Sequence, residues 1–266
     1  MKNVVFMINL KEDKKAGDSI DNRSEPYVFS INSWKNWCNS KGHELFVLTE
    51  RICEQDIMNA NWHKTWALKI LTENGIEYDQ VCIVDADTII HPDCPDFFEE
   101  TDDKMCVVQS DGCYEWVNRS IQKYGDFLFP DVKVKIWEYF NSGFIVANKN
   151  HFDFFEKVHK FYFDNVDNIK YAQTNFLVGN DQTPLNYLTK LHNIELKFLP
   201  NCYNLQDLFR KNLLHIPGRS WWPDELIFLN AGWIYHFNSI PQTDRDTKYW
   251  MERTYNQLYG EIKNDR

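Results

Sequence analysis

Residues 81–90 read VCIVDADTII: an apolar, β-branched run, two aspartates one residue apart, and an apolar close. Such a run is expected of a strand buried on both faces. Residues two apart on a strand share a face, so Asp85 and Asp87 are expected to project together at the strand's carboxyl end. In an open α/β sheet that end is where ligands bind. Two adjacent carboxylates resist joint burial unless a cation compensates, and Mn²⁺ or Mg²⁺ prefers such oxygen ligands. Three readings fit the triplet alone: a metal-holding pair, a phosphoryl-accepting nucleophile with its acid partner, or the polar edge of a buried strand. A second triplet, Asp244-Arg245-Asp246, shows how little spacing decides. It follows a polar PQT segment with no strand before it, and reads as a solvated loop or a helix cap.

Working outward, VVFMINL (4–10) and ELFVLTE (44–50) read as strands before the triplet, with a polar loop over 11–25. A helix is expected from Pro26 through YVFSINSWKNWCNSKG to Gly42, and another over NWHKTWALKILTENG (61–75), each closed by a glycine. KMCVVQS (104–110), YFNSGFIVAN (139–148) and IELKFLP (194–200) read as further strands. HFDFFEKVHKFYFDNV (151–166), DQTPLNYLTKLHN (181–193) and the terminal 243–262 read as helices, whereas 118–135 and 201–235 read as loops. Strands alternating with helices imply an α/β fold with a mostly parallel sheet. No Pro/Gly/Ser-rich linker divides the chain, so 1–266 reads as a single domain.

Composition narrows the classes. Of 266 residues, 43% are hydrophobic and 16% aromatic, which argues against disorder; a formal charge of −10 disfavours a broad nucleic-acid-gripping face. No stretch reaches the roughly 18 apolar residues that a membrane span needs. The start lacks a signal-peptide pattern, so the sequons at Asn22 and Asn118 carry no weight, and a cytoplasmic location is expected. The seven cysteines are odd in number and none has CxxC spacing, which suits reduced thiols.

Two family resemblances compete for the triplet. CIVDADTII resembles the first motif of haloacid-dehalogenase-type phosphatases, in which Asp85 would be the nucleophile. That motif usually sits on the first strand, and no second acidic strand end follows here; Asp102-Asp103 lies before a strand. By contrast, WHKTWALKIL, YDQVCIVDADTIIHPDCPDFF, YFNSGFIVANKNHFDFF, GNDQTPLNYL, LPNCYNL and GWIYHFNS follow one another in an order that resembles family 8 glycosyltransferases. That family comprises retaining enzymes of GT-A fold, a Rossmann-like mixed, mostly parallel sheet sandwiched by helices.

The resemblance implies a UDP-glucose or UDP-galactose donor, with Mn²⁺ or Mg²⁺ held by Asp85, Asp87 and His236 beneath its diphosphate. It implies that Asn9 and Leu10 cradle the uracil, and that Lys64, Asp85, Asn141 and Ser142 meet the donor. Asp181 and Gln182 would stand at the transferring carbon. The residue-level alternatives are a satisfied core histidine for His236, a solvated lysine for Lys64 and a helix N-cap for Asp181. The family's late Gly-x-x-Lys-Pro-Trp block is replaced by HFNSIPQTDRDTKYW, where Lys248 or Arg245 would supply the second cation. The resemblance divides the chain into a nucleotide-binding part of about 1–100, an acceptor-binding part of about 101–240 and a terminal helix. Arg210, Lys211 and Arg219 near Trp221 and Trp222 suggest a phosphate or sugar contact, with packing under a long loop as the alternative. A saccharide or lipid-linked glycan acceptor is expected ahead of protein tyrosine or a nucleic-acid base. A carbohydrate-binding protein without catalysis is the non-enzymatic alternative.

Overall fold

The computed structural model describes residues 1–10, 24–214 and 226–262. Its strands are β1 (Asn3–Ile8), β2 (Glu44–Leu48), β3 (Gln80–Val84), β4 (Thr88–Ile90), β5 (Met105–Gln109), β6 (Phe140–Asn148), β7 (Leu196–Leu199) and β8 (Ile234–His236). Six of them form one sheet in the order β2-β1-β3-β6-β5-β7, and β4 pairs with β8 in a second, two-stranded sheet. β2, β1 and β3 run parallel, β6 runs antiparallel to β3 and β5, and β5 pairs parallel with β7. The carboxyl ends of β1, β3 and β5 therefore share one rim with the amino end of β6.

The helices are α1 (Tyr27–Lys41), α2 (Ala60–His63), α3 (Ala67–Glu73), α4 (Tyr114–Leu128), α5 (Phe152–Phe176), α6 (Gln182–Leu191) and α7 (Thr247–Tyr259). Alternation along the strands sends Val4, Phe6, Val81 and Ile83 into a core shared with α3, α5 and α6. Val5, Met7, Cys82 and Val84 meet Trp34 and Trp37 of α1 on the opposite face. A third cluster, with Ile89, Leu205, Tyr235, Phe237, Trp250 and Met251, lies under the small sheet and holds α7 against it. All seven cysteines are free thiols; burial pushes Cys38 up to about 12, so it behaves as a small apolar side chain.

The helix ends follow the expected chemistry. Gly42 (φ 73°) and Gly75 (φ 69°) close α1 and α3 in the left-handed region, where a Cβ is disfavoured.

Several sequence expectations are corrected. VCIVDADTII is two strands rather than one: β3 stops at Val84, Asp85-Ala86-Asp87 turns, and β4 leaves for the second sheet. The expected helix over 61–75 is interrupted by a 3₁₀ turn at Lys64–Trp66. Residues 118–128, expected in a loop, belong to α4, and α5 continues ten residues past the expected 166, to Phe176. Much of the polar loop expected over 11–25 lies outside the described residues, as do Arg219, Trp221 and Trp222.

Candidate active site

The turn after β3 is fixed from every side. Asp85 donates its N–H to the Gly143 carbonyl at 3.1 Å, and the Asp87 carbonyl accepts from Phe237 N at 2.8 Å. The Thr88 hydroxyl donates to the Asp85 carbonyl at 2.8 Å and accepts from the Trp34 indole N–H at 2.9 Å. With the backbone pinned in this way, both carboxylates converge through the turn rather than through strand alternation.

β4 also delivers the third group. It pairs antiparallel with β8 in a register that sets Thr88 opposite His236. His236 Nε2 then lies 3.1 Å from Asp87 Oδ1 and 3.8 Å from Asp85 Oδ2. One ligand atom from each of Asp85, Asp87 and His236 lies within 4.8 Å of the others. His236 Nδ1 meets the Asn204 side-chain oxygen at 3.1 Å, so it carries the proton and Nε2 faces the carboxylates. Asn204 had a place in a motif but no assigned role. Its contact depends on Leu205 pairing with the β8 segment, a long-range event with no local signal.

Gly143 makes this convergence possible. A Cβ there would stand 2.4 Å from His236 Cε1, 2.7 Å from Asp85 Oδ2 and 2.9 Å from Asn141 Oδ1. The glycine thus clears space for the side chains of His236, Asp85 and Asn141.

Lys64 is buried beneath the turn. Its Nζ sits 2.8 Å from Asp85 Oδ1, 3.0 Å from Asp181 Oδ2 and 3.3 Å from Ser142 Oγ, with 3% of the side chain exposed. The 3₁₀ turn is what redirects a helical lysine inward at this point. Burial alone would lower its pKa, but Asp181 and Asp85 outweigh that and hold the ammonium above its ordinary value. Asp181 occupies the N-cap position of α6 yet makes no capping bond; its carboxylate accepts instead from Ser142 Oγ at 2.8 Å. Gln182 Oε1 accepts from Asn141 Nδ2 at 3.0 Å and Ser142 N at 3.3 Å, while Asn141 Oδ1 accepts from Gly143 N and Asn204 Nδ2. One hydrogen-bonded cluster therefore joins Lys64, Asp85, Asp87, Asn141, Ser142, Asp181, Gln182, Asn204 and His236.

Carboxylates dominate the cluster. Among the described residues Asp85, Asp87 and Asp181 face one permanent positive group, Lys64, with His236 beside Asp87. Burial raises the Asp85 pKa, opposed by Lys64 and assisted by Asp87. Burial also works against charging Asp87, but the His236 imidazole overrides it and holds Asp87 below the usual carboxylate range. His236, which burial would lower, is raised by Asp87 in return. Two carboxylate oxygens and one imidazole nitrogen at these spacings suit a divalent ion that accepts mixed oxygen and nitrogen ligands.

The remaining expected residues lie elsewhere or at the margin. The Asn9 amide N–H donates to the Leu48 carbonyl at 2.8 Å, and its buried side-chain oxygen has no hydrogen-bond partner among the described residues. Leu10 is buried beside it in sequence. Lys248 does not join the cluster: it stands on α7 and pairs with Glu25. Arg245 lies over the Tyr249 ring, 5.6 Å from its centroid. Asp246 of the second triplet caps α7 by accepting from Tyr249 N. Arg210 and Lys211 are each held by a carboxylate, Asp207 at 2.7 Å and Asp111 at 2.5 Å.

Among the described residues no helix is long and apolar enough to cross a membrane. No protein-family model matches the sequence, and no curated protein matches it. Solved structures do. A glycosyltransferase involved in glycosylation of the major capsid of PBCV-1 aligns over 95% of this chain and 99% of its own, at 8% identity and a TM-score of 0.55. The bifunctional glycosyltransferase WbbM aligns over 98% of this chain and 50% of its own, at 15% identity and a TM-score of 0.51. With its mixed, mostly parallel six-stranded sheet flanked by helices, the chain has the fold of the GT-A glycosyltransferases.

Proposed function

We propose that the protein is a metal-dependent, retaining glycosyltransferase that moves a hexose from UDP-glucose or UDP-galactose to a hydroxyl of a saccharide. The observation that carries this reading is the convergence of Asp85, Asp87 and His236 on one side of Lys64, with Asp181 and Gln182 on the other. It forms at the sheet rim where ligands of α/β folds bind.

In this reading Asp85, Asp87 and His236 would hold Mn²⁺ or Mg²⁺, which when bound would neutralise charge on the departing diphosphate. Asn9 and Leu10, at the end of β1, face the base, and the orphaned Asn9 oxygen is the acceptor left for it. Lys64 fixes Asp85 and Asp181 in place through its contacts to both carboxylates. Ser142 and Asn141 orient Asp181 and Gln182 toward the anomeric carbon. The bond from that carbon to the phosphate oxygen breaks, the bond to the acceptor oxygen forms on the same face, and the acceptor proton passes to the leaving phosphate oxygen. Lys248, on α7 and paired with Glu25, stands outside the cluster and is given no role in this reading.

The test is UDP release from UDP-glucose or UDP-galactose with Mn²⁺ present. Asp87→Ala and His236→Ala each abolish it, and both bind UDP with Mn²⁺ more weakly by calorimetry. Wild-type turnover persisting in EDTA refutes the proposal.

A further inference from the structure

The rim of the sheet carries a second preorganised carboxylate that the proposed chemistry leaves unused. Asp207 is held with φ 53°, a left-handed conformation, and 6% of its side chain is exposed. Its backbone N–H donates to Asn238 Oδ1 at 2.8 Å, and its hydrogen bonds from Arg210 (2.7 Å) and Asn238 Nδ2 (3.4 Å) both fall on Oδ1. Oδ2 accepts no hydrogen bond from the described residues. It lies over Gly112, where an added Cβ would come within 1.6 Å of it. A strained backbone, a nearly buried carboxylate and a glycine that makes room for it together leave one carboxylate oxygen unanswered among the described residues.

Its position says what would answer it. The metal-holding turn follows β3, Asn141 and Ser142 open β6, and Gly112 follows β5; these strands are adjacent in the order β3-β6-β5. At ~4.8 Å per strand, Asp207 over Gly112 stands about 10 Å along the rim from the metal ligands, beyond the groups assigned to the transferred sugar. Asn204, three residues before Asp207, orients His236, and Asn238, two residues after His236, holds Asp207, so both carboxylate centres share one frame. The local cations are already neutralised, Arg210 by Asp207 and Lys211 by Asp111. This mouth therefore offers hydrogen-bond acceptors and no unpaired cation among its described residues.

We propose that Asp207 is an acceptor-binding residue whose Oδ2 receives hydroxyl groups of an uncharged saccharide, selecting neutral glycosides over phosphorylated ones. The proposal rests on the transferase reading above and deepens it. The experiment measures UDP release from UDP-glucose and UDP-galactose with Mn²⁺, first without acceptor and then with methyl glucosides, methyl galactosides, lactose or glucose 6-phosphate. In the wild type at least one neutral glycoside accelerates UDP release more than glucose 6-phosphate does. Asp207→Asn lowers kcat/KM for that glycoside about 10- to 100-fold, the loss of a hydrogen bond to a charged group, and lowers the ratio of transfer to acceptor-free hydrolysis accordingly. Gly112→Ala, which displaces the carboxylate without removing it, moves the same ratio in the same direction. Donor KM and the thermal midpoint separate these effects from misfolding. A purely structural role predicts transfer and hydrolysis falling together, and that result overturns the proposal. So do unchanged transfer in Asp207→Asn, a preference for glucose 6-phosphate, or a wild type that no neutral glycoside accelerates. Absence of any metal-dependent UDP release from the wild type is a different failure, because it refutes the transferase reading itself.

Discussion

Gly143→Ala isolates the proposed metal site from the rest of the fold. Ligands at about 2.1 Å from an octahedral ion lie ~3.0 Å apart when adjacent and ~4.2 Å apart when opposite. The 3.1 Å between His236 Nε2 and Asp87 Oδ1 matches the adjacent arrangement, and the 3.8 Å to Asp85 Oδ2 falls between the two. An alanine Cβ would sit 2.4 Å from His236 Cε1, whereas carbon atoms settle at about 3.5–4.0 Å, so the imidazole must retreat by roughly 1 Å or more. Retreat from Asp85 carries their separation past the ~4.2 Å that one ion can bridge. Overpacking costs about 1–3 kcal/mol of stability. Metal affinity falls by at least the ~10–100-fold typical of disturbing a ligand's support, or about 1.4–2.7 kcal/mol. Calorimetric titration of Mn²⁺ in the presence of UDP measures the affinity, and urea denaturation measures the fold. Gly125→Ala is the control: its Cβ would meet Tyr187 Oη at 2.6 Å, away from the ligands, so stability drops while metal affinity holds. Wild-type Mn²⁺ affinity in Gly143→Ala would falsify the account of the glycine.

Other expectations follow from the same contacts. Asn204→Ala frees His236 Nδ1 and weakens Mn²⁺ binding about 10–100-fold, read by the same titration, with a smaller loss of stability. Lys64→Met leaves buried carboxylates unpaired and destabilises the metal-free protein by about 3–5 kcal/mol in urea; saturating Mn²⁺ recovers part of that loss. Burial lowers the His236 pKa but Asp87 raises it further, so its stabilisation is full below ~6.5 and is lost as pH rises through the folded value. Metal requires the neutral imidazole, so the rise in Tm on adding Mn²⁺ grows as pH climbs above ~6.5, and a flat profile contradicts this assignment. Leu177 closes α5 at φ 53° with 67% of its surface exposed, so Leu177→Gly relieves strain with little lost packing and raises stability by roughly 0.5–1 kcal/mol in urea denaturation.

What the sequence revealed is what local chemistry and motif order encode. Apolar runs marked β1, β3 and β6, and glycines marked the ends of α1 and α3. The triplet, Asp181-Gln182 and the late histidine are groups the fold brings into one cluster. Hidden features depend on partners distant in the chain. The break inside VCIVDADTII comes from β4 pairing with β8, almost 150 residues away. The interruption at Lys64 goes with two carboxylates distant in sequence, Asp85 just after β3 and Asp181 just before α6, that receive its side chain inside the fold. α4 was obscured by Gly125, which suits a loop locally but is needed beneath the Tyr187 phenol, itself donating to the Ile121 carbonyl. Lys248 looked like a spare cation because Glu25, more than 200 residues earlier, gives no local sign of holding it.

Four positions where local preference yields lie together. Lys64 sits in a 3₁₀ turn within a helical segment, Gly143 lies inside a fully buried strand, Asp181 declines to cap its helix, and Asp207 adopts a left-handed backbone. Each departure has a cost, whether in helical regularity, side-chain packing, an unmade cap bond or backbone strain. All four lie at the same rim of the large sheet, and each places a charged group or clears room for one. Packing does not require this concentration, because the three hydrophobic clusters are filled by ordinary apolar side chains. Where local rules fail together and the failures converge on charge, function is the simplest common cause. On the proposed reading the rim is ordered as well: Asn9 for the base after β1, Asp85 and Asp87 for the metal after β3, Asn141 for the sugar on β6 and the Asp207 carboxylate over Gly112, after β5. A donor laid from β1 to β6 would present its reactive carbon toward β5, which is where an acceptor must arrive.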